Sequence, residues 1–139
     1  MENRKMVHTD IDYQGQLRCE AVHQPSGNKL HTDAPVDNHG LGESFSPTDL
    51  VATALASCMA TIMGIVADRN EIDLTGLKVG VDKSMSASPR RISQLAVAIE
   101  MPIPADHPQA EMLKDAALAC PVHKSLHPDI EVLVNWVWK

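Results

Sequence analysis

Three cysteines in 139 residues are too few, and odd in number, to build a disulfide framework. A reducing compartment would keep them as thiols, so each has to be judged alone. Basic charge is also scarce. Twelve Lys and Arg face eighteen Asp and Glu, leaving a net charge of -6, and no basic stripe is present that could neutralise a run of phosphates. Nucleic acid is therefore not an expected partner. The first residues, 1–12, carry charge throughout and hold no apolar run of the kind a secretory leader needs, so a cytoplasmic protein is expected. No Gly/Pro/Ser linker, repeat or low-complexity segment divides the chain. One domain over residues 1–139 is the expectation.

The sequence does contain one long uncharged run. Residues 50–67 form 18 positions without a formal charge, the length at which a membrane span comes under suspicion. Half of them are small or hydroxylated, including Ala52, Thr53, Ser57, Thr61 and Gly64, so transfer into lipid would gain little. The run reads instead as a helix at the centre of a protein, apolar on every side and packed closely by other elements, with no membrane as partner.

Strand signals come first, at residues 6–13, 17–23 and 30–33, punctuated by Gln14-Gly15 and by Pro25-Ser26-Gly27-Asn28. A small antiparallel sheet is expected there. After a Pro/Asp/Asn/Gly-rich loop at 34–44, the long helix has a complete start signal. Ser46 can cap it, Pro47 suits the first helical position, Asp49 completes an S-x-x-D box, and Phe45 can staple onto Leu50. The helix should end near residues 68–70. Alternation at Leu77, Val79, Val81 and again at Leu95, Val97, Ile99, Met101 predicts two strands. A helix at about 105–119 follows the stop at Pro102 and Pro104, and Ile130, Val132, Val134, Trp136, Trp138 predict a last strand with one buried face. The fold class is α+β.

Of the thiols, Cys58 lies mid-helix with Ala54, Leu55, Thr61 and Ile62 as neighbours at helical spacing. Alone, such a cysteine reads as a small inert hydrophobe, and reactivity would require a cation nearby. Cys120 stands before Pro121 as an N-cap residue stands before proline at the first helical position, where free backbone N–H groups would favour a thiolate. The competing reading is a buried cysteine at a helix junction. Cys19, between Arg18 and Glu20, reads as structural. Cys120, His123 and His127 have a C-x2-H-x3-H spacing, but no second pair supports it, so no metal is expected.

Taken together, Ser46-Pro47-Thr48-Asp49-Leu50, Ala56-Ser57-Cys58-Met59 in the long helix, and Cys120-Pro121-Val122 about sixty residues on resemble the OsmC/Ohr family over nearly the whole chain. The resemblance implies antiparallel sheets wrapped around two central helices in an intertwined homodimer, with both cysteines in a pocket at its interface. It implies that Cys58 attacks an organic hydroperoxide to become a sulfenic acid. Cys120 then condenses with it to a disulfide, and a dithiol or lipoyl reductant restores the pair. No organic cofactor or metal is implied.

Ohr-type members hold an arginine beside the thiolate with a glutamate ten residues before it. That position here is Thr48. Asp49 is one residue on, and nine residues turn a helix through roughly 900°, which points it away from Cys58 and leaves it a capping role. Glu43 is the candidate carboxylate. Arg18, Arg90 or Arg91 could supply the cation, with Arg18 first because the family's arginine comes from the N-terminal sheet region. The expected activity is a thiol-dependent hydroperoxide reductase. The alternative, which Thr48 favours, is an OsmC-like binding or redox-sensing protein without efficient turnover.

Overall fold

A computed structural model describes residues 6–139; the charged segment 1–5, part of the stretch read above for a leader, lies outside the described residues. The chain forms two compact units, one ending at Leu50 and the other comprising Val51–Lys139. The elements are three strands, a long helix, two strands, two helices and a strand.

In the first unit β1 (Thr9–Gly15), β2 (Arg18–His23) and β3 (Lys29–Asp33) form an antiparallel sheet in the order β1-β2-β3. The reversal after β1 is possible because Gly15, Gln16 and Leu17 all take positive φ, and Tyr13 Oη accepts the Leu17 N–H at 3.4 Å. Strand β1 begins three residues later than the pattern predicts. In register, Arg18 pairs with Asp33 across β2 and β3, while Cys19 lies opposite Tyr13 and Thr32. One face of this sheet is charged. The other carries Ile11, Tyr13 and Leu30, all exposed.

The loop after β3 folds back on itself. Gly40 N–H donates to the Pro35 carbonyl at 3.0 Å and Gly42 N–H to the Ala34 carbonyl at 3.2 Å. Gly40 has no substitute there, since a Cβ on it would lie 1.7 Å from the Ala34 carbonyl oxygen. The loop delivers the chain to Ser46, where the expected box forms. Ser46 Oγ accepts the Asp49 N–H at 3.1 Å and Asp49 Oδ2 accepts the Ser46 N–H at 2.9 Å.

Helix α1 (Pro47–Arg69) runs on into the second unit. Ala52, Leu55, Met59, Met63 and Ala67, spaced by three or four, form the face that joins its core. The helix is long and apolar enough to cross a membrane, yet only 33% of its most apolar window is buried. Within the described residues of one chain it is thus not enclosed on every side. Its open stripe is Thr53, Ser57, Thr61 and Ile65. Ser57 and Thr61 hydroxyls bond carbonyls of their own helix, at 3.3 and 2.8 Å, so exposure leaves them satisfied.

Strands β4 (Lys78–Ala87) and β5 (Arg90–Glu100) form a long hairpin, with its tip in the polar residues that the apolar pattern did not reach. Helix α2 (Ala110–Leu118) is shorter than predicted. Pro108 disfavours helical geometry in the residue before it, and His107 closes a turn on the Pro104 carbonyl instead. After α3 (Pro121–Ser125), strand β6 (Glu131–Val137) pairs with β5 in parallel, from Gln94↔Glu131 to Glu100↔Val137. The expectation of purely antiparallel sheets is corrected here. The α2–α3 crossover returns the chain to the start of β5, so β6 must run in the same direction. Leu95, Val97 and Ile99 on β5 then meet Leu113, Ala117 and Cys120 in one core with the α1 face.

A candidate thiol site and an arginine cluster

Cys120 caps α3 as its place before Pro121 predicts. Its φ of -64° and ψ of 147° are extended, Pro121 opens the helix, and Sγ accepts the His123 N–H at 3.4 Å. The residue is fully buried, with 0% exposure. Cys58 on α1 is half-buried and packs against the core cluster that includes Cys120, and both are free thiols. Burial pushes the Cys120 thiol up from its ordinary value. The His123 N–H works against this shift, the neighbouring Cys58 thiol adds to it, and the Val122 N–H again opposes it. The pair is therefore asymmetric. Cys120 is held as a neutral thiol in the core, and Cys58 is the more accessible of the two.

His123 contributes its backbone to this cap, while its ring Nδ1 is buried with no hydrogen-bond partner among the described residues. Its partner in the C-x2-H-x3-H spacing, His127, turns elsewhere: its Nδ1 accepts the Asp129 N–H at 3.0 Å. Among the described residues no group of three His, Cys, Asp or Glu side chains is arranged to hold a metal ion.

The candidate cation lies in the first unit. Arg18 Nη2 is 3.2 Å from Glu43 Oε2 and 3.6 Å from Asp33 Oδ2, in a cleft of ≈ 240 Å³ that His31 and Ser44 also line. The structure thus brings together Arg18 and Glu43, the two supporting residues named from sequence. It also adds an acid that sequence reasoning missed. Asp33 is 2% exposed, its Oδ2 accepts the Glu43 backbone N–H at 3.0 Å, and its Oδ1 has no partner among the described residues. Only strand register could have revealed it, since Asp33 is directly across from Arg18. Thr48 sits in the first turn of α1 with its Oγ1 3.2 Å from Ser46 Oγ. Of the other arginines, Arg91 pairs with Asp129 at 3.6 Å and Arg90 opens β5.

A cysteine on a long apolar helix packs against the core that holds a second one, which caps a short helix before proline. A family model described as OsmC-like protein matches residues 40–135. The chain belongs to the OsmC-like protein family. Among solved structures, this family member is similar to a Psychrobacter arcticus protein provisionally described as an osmotic stress induced and detoxification response protein. The two are 48% identical, with 98% of this chain and 99% of that chain covered and a TM-score of 0.89. An organic hydroperoxide resistance protein OsmC from Legionella pneumophila is 18% identical, covering 98% and 99% of the chains, with a TM-score of 0.77. An organic hydroperoxide resistance protein from Elizabethkingia anophelis is 14% identical, covering 100% of each, with a TM-score of 0.76. At those identities the last two likenesses concern the fold. No curated protein sequence matches the chain.

Proposed function

We propose that this OsmC-like protein is a cytoplasmic, homodimeric thiol peroxidase that reduces organic hydroperoxides. The observation that supports the reading is an accessible Cys58 packed against the core that holds the buried, neutral Cys120. Cys58, as thiolate, attacks one peroxide oxygen; the O–O bond breaks, the alkoxide takes a proton and leaves as alcohol, and the sulfur becomes a sulfenic acid. The Cys120 thiol then attacks that sulfur, forming the disulfide and releasing water. A dithiol or lipoyl reductant returns two electrons and two protons to restore both thiols. The raised pKa of Cys120 leaves the first attack to Cys58, and Cys120 gives up its proton to the departing hydroxide as it attacks the sulfenic sulfur. Arg18 is the candidate cation for the Cys58 thiolate and the departing alkoxide, with a carboxylate beside it. The names of the Legionella and Elizabethkingia structures support an organic hydroperoxide as substrate.

Steady consumption of cumene hydroperoxide with a dithiol reductant tests this directly. Cys58→Ser should abolish it, whereas Cys120→Ser should allow one oxidation and leave Cys58 as a sulfenic acid that dimedone traps. Cys19→Ser should alter neither step. Roles reversed between the first two variants would refute the assignment. A second reading is favoured by Thr48, which stands where Ohr-type proteins carry their glutamate: a redox-sensing or binding protein of the same fold. Single-turnover oxidation that no dithiol reverses would select it.

A further inference from the structure

Helix α3 is weakly held. It has 5 residues, none of them buried, and it opens on Pro121, which has no N–H to give. The side chain that caps it is the Cys120 thiol, whose sulfur accepts the His123 N–H at 3.4 Å, and sulfur is a weak acceptor. The His123 ring adds a cost of its own: Nδ1 is buried with no partner among the described residues, and that cost ends once water reaches it. Val122 on α3 and Leu126 at its end pack against the core that includes the fully buried Cys120. Helix α1, which carries Cys58, is the opposite case, with 23 residues and Ala52, Leu55, Met59 and Met63 buried. Both cysteines are free thiols, and bonding them would draw their sulfurs to about 2.05 Å. With α1 anchored, the displacement falls on Cys120, and its sulfur leaves the His123 N–H. We propose that α3 is a redox-operated lid: it stays closed over Cys120 in the dithiol, and it loosens when a Cys58–Cys120 disulfide takes its capping sulfur away. The loosened lid opens the Cys120 side of the bond to the dithiol reductant, which the closed lid keeps out.

The lid rests on the reading that a hydroperoxide takes two electrons and two protons from the pair and leaves the disulfide, and the test keeps the two apart. Backbone amide exchange is followed by mass spectrometry in a Cys19→Ser background, for the reduced protein and after one equivalent of cumene hydroperoxide. The disulfide is mapped in the same samples. Amides of residues 122–126 should exchange on the order of fivefold faster in the disulfide form, the size that loss of a helix cap implies, while those of α1 keep their rates. Dithiothreitol should restore the slow exchange. Cys120→Ser stops at the Cys58 sulfenic acid and keeps a capping oxygen, so hydroperoxide should leave its α3 amides unchanged. Unaltered or slower α3 exchange in a mapped disulfide, acceleration in α1 in place of α3, or equal acceleration in Cys120→Ser would overturn the lid. If hydroperoxide forms no disulfide, the peroxidase reading fails, and diamide is used to form the bond; exchange in that form then decides about α3. Failure of diamide to join the two cysteines would overturn the lid as well.

Discussion

Cys120 combines a helix cap with full burial, and the two act in opposite directions on its proton. Capping favours the thiolate through the His123 N–H, burial disfavours it, and burial is the larger effect. The folded protein thus binds the Cys120 proton more tightly than the unfolded chain. Stability from this group is fully present below the ordinary thiol value of 9.0 and is lost as pH rises through the higher folded value. Urea unfolding of the reduced protein should show falling stability across that alkaline window, and Cys120→Ser should flatten the fall. An unchanged slope in Cys120→Ser would place its origin elsewhere. Asp49 has its effect through the box it closes with Ser46, so Asp49→Asn should cost on the order of 1 kcal/mol in the same assay.

Among the elements, the loop at residues 34–44 depends most on one side chain being absent. With the Ala34 carbonyl where a Cβ would have to go, Gly40→Ala must open the turn that the Gly40 and Gly42 N–H bonds close. A loss of about 2 kcal/mol is expected from such overpacking, together with faster proteolysis of the loop. Helix α1 is legible from sequence at both ends because caps and proline act within a turn. The strands are less so. The alternation of β6 reports one buried face, which a parallel and an antiparallel neighbour require equally, so its direction is carried by the crossover and not by its residues.

For the whole molecule, exposed apolar surface is the feature that asks for cover. Ile11, Tyr13 and Leu30 share one face of the first sheet, Ile65 ends the open stripe of α1, and a groove of ≈ 330 Å³ runs along Thr53, Ser57 and Ala60 beside β4. Single exposed hydrophobics are ordinary, but clustered ones on a sheet face mark an association surface. Sedimentation at micromolar concentration should therefore give a dimer, and Ile11→Lys combined with Tyr13→Glu should shift it towards monomer. A parent protein that sediments as a monomer would remove the homodimer from the proposed function.

What the sequence determined by itself is what neighbours in the chain decide: the Ser46–Asp49 box, the extent of α1, the Cys120–Pro121 cap and the alternation of the strands. The spacing of those motifs was enough to carry the family resemblance, because it samples the whole chain. Tertiary structure alone decided that Cys58 and Cys120, 62 positions apart in the chain, come to one core, and that a stripe of α1 is uncovered within the single chain. It also decided that a buried Asp33 faces Arg18. Such pairings depend on strand register and crossover direction, which no single segment encodes. A carboxylate in a polar strand reads as solvated until the register puts an arginine across from it.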